Sequence, residues 1–239
     1  MQVREIWRFP VKSMQGERLQ RAAVGPYGIE GDRAWSLFDA ETGLNLTGRR
    51  DPQLLDALAH YDAGEVRITL PDGTVAGDDA TLSDWIGRPV ELRHADAEAP
   101  GTYEIQLDEN DAGSWVRWSG PSGSFHDSTK TRISLAGVDA FRSWDRRRFR
   151  TNVILDGSGD VELVGHRIEI GSVGLDVLKR IDRCVMTTRP QPAVDDLPVV
   201  ERDLDVLKTI ARDHENCLGV GAVVLNTGTL SVGDDVVVR

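Results

Sequence analysis

The sequence has 239 residues, of which 40% are hydrophobic and 28% charged, and these proportions exclude disordered and fibrous classes. A net charge of −11 argues against general binding to nucleic acids or anionic membranes, because both need a basic surface. No apolar run approaches the roughly 20 residues that span a bilayer, and the start MQVREIWRFPVKS has no signal-peptide pattern. We therefore expect a cytoplasmic protein with no nucleic-acid partner and no membrane partner.

Short Val- and Ile-rich stretches with partial alternation recur along the chain, separated by turn sequences such as PDG and NTG. This pattern predicts a mainly β, barrel-like fold with a few helices (α+β). In the first half, residues 81–86 before Gly87 predict a short helix. The polar, irregular stretch 95–118 predicts a crossover, which divides the chain into domains 1–110 and 111–239.

The second half contains two further predicted helices and a predicted terminal hairpin. In residues 138–144 the apolar side chains recur at helical spacing, and an arginine cluster follows them. The apolar side chains from Leu204 to Ala211 also recur at helical spacing, and Asp203 before them is a potential cap. Three Val-rich segments then end the chain, and the polar turns between them indicate a local hairpin or meander over 223–238.

Cys184 lies in KRIDRCVMTTRPQP, between an alternating apolar stretch and a Pro-containing loop, which predicts a strand end near the surface. The neighbouring cations Lys179, Arg180, Arg183 and Arg189 would favour a thiolate, which is a nucleophile and a soft metal ligand. The alternative is a small buried apolar residue, and the local sequence leaves both readings open.

Cys217 follows His214 in DHENCLGVG, but two residues cannot close a zinc site and no CxxC or HxxxH motif supplies further ligands. We therefore expect Cys217 to pack in the core. The remaining histidines are scattered, and we interpret them as structural or surface residues.

Arginine side chains cluster in RRRFRTNVIL, and guanidinium groups match the oxygens of phosphate. We interpret Arg146 to Arg148 as a solvated helix end whose charges complement the helix dipole. Arg150, which precedes Thr151 and Asn152, is the better ligand candidate. PVKSMQG and GIEGDRAW add Lys12, Ser13 and Arg33 beside glycines that let the backbone approach a ligand.

Six segments in order, PVKSMQG, GIEGDRAW, TGRRDPQL, RFRTNVIL, RCVMTT and NTGTLSVGDDV, resemble the MOSC-domain family with its N-terminal β-barrel partner. The resemblance covers almost the whole chain. Within the family, the chain looks most like the branch that contains the mitochondrial amidoxime-reducing component and its bacterial relatives. It implies a β-barrel-like MOSC domain packed with an N-terminal β-barrel-type domain.

The resemblance also implies a molybdenum–molybdopterin cofactor, with Cys184 as the molybdenum ligand and catalytic residue. Lys12, Ser13 and Arg33 would bind the anionic part of the cofactor. Further contacts are implied for Arg150, Asn152, Arg183 and Thr187 and, on a looser alignment, for Asp127, Ser128 and Thr129. After the cysteine, the run TTRPQPAVDD replaces the usual T-T-x-D-P of the family. This departure affects the expected substrate preference more than the expected metal binding.

The implied reaction is the reduction of small N-hydroxylated substrates such as amidoximes. The sequence has no ferredoxin-like cysteine cluster, so electrons would come from separate electron-transfer proteins. Two alternatives are a non-catalytic molybdenum-cofactor carrier or sulfur-transfer module, and a β-barrel interaction protein in which Cys184 is only core. The set Lys12, Ser13 and Arg33 argues against the last.

Overall fold

The computed structural model describes residues 1–97, 99–106, 115–194 and 196–239. Within these ranges the chain forms eighteen strands and two α-helices. In chain order they are β1 (Val3–Arg8), β2 (Glu17–Leu19), β3 (Arg21–Gly25), β4 (Gly28–Ile29), β5 (Trp35–Asp39), β6 (Leu58–Asp62), β7 (Glu65–Thr69), β8 (Val75–Ala76), α1 (Asp79–Ile86), β9 (Val90–His94), β10 (Thr102–Gln106), β11 (Trp115–Ser119), β12 (Ile133–Gly137), β13 (Val153–Leu155), β14 (Arg167–Ile170), β15 (Val173–Asp182), α2 (Asp205–His214), β16 (Cys217–Asn226), β17 (Gly228–Ser231) and β18 (Val236–Val238). The prediction of a mainly β fold with a few helices is confirmed.

The chain divides into two compact units that are interleaved in sequence. The large-sheet unit comprises residues 1–8, 16–30 and 130–239, and the small-sheet unit comprises residues 9–15 and 31–129. The predicted domain boundary at residues 110 and 111 lies outside the described residues, so that boundary stays a prediction.

The large-sheet unit is built on a curled eight-stranded sheet in the order β18-β14-β15-β16-β12-β13-β1-β2, with a three-stranded sheet β17-β3-β4. Neighbouring strands are antiparallel except β12 and β13. Fully buried Val, Ile and Leu side chains from both sheets form one core, which includes Ile6, Leu135, Val220 and Leu230. Burying such side chains contributes about 1.5–3 kcal/mol each, so this core fixes β15, the strand that leads to Cys184.

The predicted terminal hairpin is wrong, although its strands exist. β16 pairs with β12 and β15, β17 pairs with β3, and β18 pairs with β14. Alternation identifies a strand and its buried face but not its partner. Here the partners are distant in sequence because each strand completes the buried core of the large-sheet unit.

The small-sheet unit contains three small antiparallel sheets, β5-β9, β6-β7-β8 and β10-β11. The predicted helix near 81–86 is confirmed as α1. The carboxylate of Asp78 accepts a hydrogen bond from the N–H of Thr81 at 2.8 Å, and Gly87 ends the helix in the left-handed conformation. The buried side of α1, Leu82 and Ile86, joins a core with the sheets.

The helix predicted from Leu204 is confirmed as α2, but its buried side chains are Val206 and Ile210 while Leu204 is exposed. The helix predicted over 138–144 is wrong. The chain forms only a short 3-10 turn, Val138–Phe141, because Arg142 adopts a positive φ of 52°, which a right-handed helix does not allow, and ends it. No helix in the described part of the chain is long and apolar enough to cross a membrane.

Candidate functional site

Cys184 lies two residues beyond the end of β15, on a loop of the large-sheet unit. Its thiol is free and partly exposed. The residue is extended and begins the 3-10 turn Val185–Thr188, and its carbonyl accepts hydrogen bonds from the N–H and the Oγ1 of Thr187, both at 3.0 Å. The strand-end position predicted for Cys184 is confirmed, and Thr187 is buried beneath it as a positioning residue for the turn.

The guanidinium group of Arg183 contacts the main chain on both sides. Its Nε and one terminal nitrogen donate to the carbonyl of Leu218 at 2.8 and 2.6 Å, and the other donates to the carbonyl of Phe149 at 2.8 Å. The side chain of Asn216 donates to the carbonyl of Arg183 at 2.9 Å. Arg183 therefore ties the cysteine loop to β16 and to the segment before β13, and its contact with a cofactor stays a prediction.

Arg147 and Arg148 are buried, at 3% and 5% exposed, so the interpretation of Arg146 to Arg148 as a solvated helix end is wrong for these two. Arg147 donates to the carbonyls of Pro192 and Pro198 and pairs with Asp145. Arg148 donates to the carbonyls of Thr187, Arg189 and Glu201. The loop after Cys184 has few strand partners for its carbonyls, and these guanidinium groups supply the donors.

The two other predicted ligands on this unit differ in their environment. Arg150 is partly exposed and adopts the left-handed conformation at φ 51°, which is uncommon for a residue other than glycine. Asn152 is 1% exposed, and its carboxamide accepts from the Oγ of Ser134 at 2.8 Å and donates to the carbonyl of Trp7 at 3.2 Å. Asn152 thus joins β1, β12 and β13.

Cys217 is not packed in the core, contrary to expectation. It is partly exposed, and its Sγ lies 3.6 Å from Oδ1 of Asp182 on the neighbouring strand. Burial and the Asp182 carboxylate raise the pKa of this thiol above its ordinary value. Both effects disfavour the thiolate. Cys217 is therefore a poorer candidate for a metal ligand than a thiol without a neighbouring carboxylate.

In the small-sheet unit, the buried ammonium of Lys12 meets residues more than a hundred positions away. It donates to the carbonyl of Phe125 at 3.0 Å, pairs with the carboxylate of Asp127 and lies 4.3 Å from the ring centre of Tyr103. Desolvation raises the pKa of the Asp127 carboxyl, but the neighbouring cations Lys12, Arg33 and Arg49 hold that pKa below its ordinary value overall. The predicted residues Lys12 and Asp127 are thus brought together.

Ser13 and Arg33 both adopt the left-handed conformation, at φ 68° and 49°. The Oγ of Ser13 accepts a hydrogen bond from the N–H of Gly48 at 3.0 Å. The guanidinium of Arg33 pairs with Asp32, whose other carboxylate oxygen accepts from the N–H of Phe9 at 2.8 Å. Non-glycine residues in this conformation cost free energy and concentrate at functional sites, which supports the choice of both residues.

The remaining predicted residues, Ser128 and Thr129, end the small-sheet unit, where Ser128 is partly exposed and Thr129 exposed. The sequence reasoning missed three charged side chains that hold the candidate residues in place, Asp32, Arg147 and Arg148. Three consecutive arginines in an acidic chain are unusual, but this local pattern does not indicate that two of them are buried. The signal for Asp32 was its position directly before Arg33.

The donors of each unit fit the corresponding part of a molybdenum–molybdopterin cofactor. In the large-sheet unit, Cys184 offers one free, soft sulfur, which suits a high-valent transition metal. In the small-sheet unit, Lys12 and Arg33 offer an ammonium and a guanidinium, which suit a phosphate. In both units, hydrogen bonds or ion pairs with neighbouring residues fix the backbone or the side chain of these candidate ligands.

Comparison with known proteins assigns both parts of the chain to families. Residues 1–116 match the MOSC N-terminal beta barrel domain, and residues 127–237 match the MOSC domain. A search of curated proteins finds no match.

Among solved structures, the chain is similar to the YuaD protein from Bacillus subtilis, with a TM-score of 0.46, 12% identity, and coverage of 98% of this chain and 93% of that chain. It is also similar to YiiM from Geobacillus stearothermophilus, with a TM-score of 0.36, 15% identity, and coverage of 60% of this chain and 74% of that chain.

The two family matches together span most of the sequence, and MOSC domains are associated with binding of the molybdenum cofactor. The chain belongs to the MOSC-domain family, with a MOSC N-terminal beta barrel domain ahead of its MOSC domain.

Proposed function

We propose that this protein binds a molybdenum–molybdopterin cofactor through Cys184 and reduces small N-hydroxylated substrates such as amidoximes. The observation that carries the proposal is the free, partly exposed thiol of Cys184 on a loop whose main chain is held by buried arginines, inside the segment that matches the MOSC domain. A ligand held in one geometry loses little entropy when it binds a metal.

The proposed roles of the candidate residues differ between the two units. Cys184 is the metal ligand, and Arg148 and Arg183 are positioning residues for its loop. Lys12 and Arg33 bind the anionic end of the cofactor, with Asp127 and Asp32 holding their side chains in place. Ser13, Ser128, Thr129, Arg150, Asn152 and Thr187 complete the proposed set of contacts.

The cofactor supplies the two-electron step when bound, and the protein orients it and shapes the substrate cavity. Electrons come from separate electron-transfer proteins. The choice of this activity among those of the MOSC family is based on the sequence motifs, which resemble those of the mitochondrial amidoxime-reducing component and its bacterial relatives.

The test is reduction of benzamidoxime by the purified, cofactor-loaded protein with a chemically reduced mediator, which replaces the natural electron donor. We expect the wild type and Cys217→Ser to reduce the substrate. Cys184→Ser should be inactive, because serine offers a hard oxygen that is rarely deprotonated in place of a soft thiolate. Circular dichroism should show that both variants fold.

Two results would contradict the proposal. If Cys184→Ser has the activity of the wild type, Cys184 is not the ligand. If the wild type contains molybdenum but reduces no N-oxygenated compound, the protein is a cofactor carrier instead of a reductase.

A further inference from the structure

The ion pair between Lys12 and Asp127 joins a buried cation to an exposed anion. The side chain of Lys12 is 6% exposed, and that of Asp127 is 88% exposed. The other contacts of the ammonium are the carbonyl of Phe125 at 3.0 Å and the ring of Tyr103, whose centre lies 4.3 Å away, and both of these residues are buried. Of these three partners, Asp127 is therefore the one that solvent reaches.

The two members of this ion pair differ in what they lose when they separate. A buried ammonium that loses its partner costs much free energy, because water cannot replace the lost contact. An exposed carboxylate that turns away regains its hydration and loses little. A second anion that reaches the ammonium can therefore take the place of Asp127 without leaving Lys12 unpaired.

Two further cations act on the Asp127 carboxylate. Despite desolvation, the cations Lys12, Arg33 and Arg49 hold the pKa of this carboxyl below its ordinary value. The main chain holds Arg33 against the segment before Asp127, because the N–H of Phe125 donates to the carbonyl of Arg33 at 2.7 Å. Three cations of the small-sheet unit thus act on a single exposed carboxylate.

The main chain also holds Arg49 close to Lys12. The N–H of Gly48 donates to the Oγ of Ser13 at 3.0 Å, so the residue before Arg49 is fixed against the residue after Lys12. Arg49 is partly exposed, and a guanidinium group matches the oxygens of phosphate. Its charge and position make Arg49 a third candidate for binding an anion, beside Lys12 and Arg33.

We propose that Asp127 is a built-in competitor for the anionic ligand of the small-sheet unit. In the free protein its carboxylate occupies the ammonium of Lys12. An incoming phosphate group displaces the carboxylate and is bound by Lys12, Arg33 and Arg49. That this phosphate belongs to the cofactor rests on the proposed function, whereas the competition rests on contacts within the small-sheet unit.

A competing carboxylate and a merely supporting one have opposite effects on binding. A carboxylate that only positions Lys12 would help the ligand to bind, so its removal would weaken binding. A competing carboxylate repels the anion and must be displaced, so its removal strengthens binding. Asp127→Asn removes the charge and keeps the shape of the side chain.

The test is calorimetric titration of the full chain with inorganic phosphate at constant ionic strength, using protein from a host that makes no molybdenum cofactor. We expect Asp127→Asn to bind phosphate at least about threefold more tightly than the wild type, because a negative charge beside the ligand is removed. Added salt should reduce this gain, since it screens the repulsion. Asp62→Asn, which removes the charge of an exposed aspartate at the end of β6, should bind like the wild type.

Arg49→Gln tests the third cation in the same titration. It should bind phosphate at least about threefold more weakly than the wild type, because it loses a charge-assisted contact. Arg67→Gln, at an exposed position of β7, is the matched control and should bind like the wild type. Equal affinity of Arg49→Gln and the wild type would overturn the assignment of Arg49.

Thermal unfolding supplies a second measurement. Without phosphate, Asp127→Asn should melt below the wild type, because the buried ammonium of Lys12 has lost its carboxylate. The same phosphate concentration should raise the melting temperature of Asp127→Asn by more than that of the wild type, because a tighter ligand stabilises the folded state more. Asp127→Ser is a second neutral variant with the same expected results, for use if Asp127→Asn does not fold.

Weaker or equal binding of phosphate by the neutral variants would overturn the proposal, as would no binding to them at millimolar phosphate. These outcomes are distinguishable from a failure of the proposed function. If Asp127→Asn binds phosphate more tightly but the wild type contains no molybdenum when its supply is adequate, the competition stands and the redox function falls. If the wild type carries the cofactor and phosphate affinity does not depend on Asp127, the function stands and the competition falls.

Discussion

Two arginines of the large-sheet unit and two cations of the small-sheet unit, all near candidate residues, have different main partners. In the large-sheet unit, Arg148 and Arg183 donate to main-chain carbonyls, so their hydrogen bonds hold loops together. In the small-sheet unit, Lys12 and Arg33 pair with the carboxylates of Asp127 and Asp32. Main-chain carbonyls in a loop need a hydrogen-bond donor in the folded state. A carboxylate beside a cation instead holds the charged group of the cation in position. The comparison predicts that the first group maintains stability and the second retains the cofactor.

The largest expected effect on stability is that of Arg148→Met, which keeps most of the side-chain volume but removes the donors to one buried and two partly buried carbonyls. Leaving such groups unpaired should lower the free energy of unfolding by about 2–4 kcal/mol and the melting temperature by roughly 5–15 °C. The exposed Arg202 provides the control, and Arg202→Met should change the free energy of unfolding by less than about 0.5 kcal/mol. Similar melting temperatures for the two variants would remove the distinction between the units.

The second prediction concerns Lys12→Ala and Arg33→Ala in the small-sheet unit. Each should retain less cofactor, because each loses a charge-assisted contact worth roughly 1.5–3 kcal/mol to an anionic group. Pterin released by oxidation and molybdenum should both decrease, while circular dichroism shows a folded chain. Lys208→Ala, at an exposed position of α2, should leave the cofactor content unchanged. Full occupancy in both test variants would mean that these cations do not belong to the site.

The smallest expected effect is that of Asp160→Asn in the large-sheet unit. Asp160 is 4% exposed, its Oδ2 has no partner among the described residues, and desolvation raises its pKa above the ordinary value of 3.8. Just above pH 3.8 the folded state therefore binds more protons than the unfolded state, and stability is lost as the pH rises through the folded pKa.

Asp160→Asn should remove this loss, so its melting temperature should exceed that of the wild type near neutral pH and approach it at pH values below 3.8. Thermal unfolding across this range is the measurement. A lower melting temperature for the variant at neutral pH would contradict the account, because it would show that the ionised carboxylate stabilises the fold.

The sequence was sufficient for features that depend on local chemistry. Gly87 marked the end of α1, and the loop after the apolar stretch marked the strand end at Cys184. The pairing of β17 with β3 and of β18 with β14 could not be predicted, because a two-residue period defines the face of a strand and not its neighbour.

The candidate residues were chosen from the sequence, and the contacts that hold them were not predicted. The burial of Arg147 and Arg148 depends on carbonyls about forty to fifty positions away, which no local pattern indicates. The burial of these arginines therefore depends on tertiary contacts.

The molybdenum content of the wild-type protein tests the central claim most directly. Protein purified from a molybdenum-sufficient host should contain about one molybdenum and one pterin per chain by mass spectrometry and oxidative release, since one cysteine ligand anchors one centre. Cys184→Ser prepared in parallel should lose the metal, and Cys217→Ser should keep it. Reproducible absence of both molybdenum and pterin from the wild type, or equal molybdenum in the wild type and Cys184→Ser, would contradict the account.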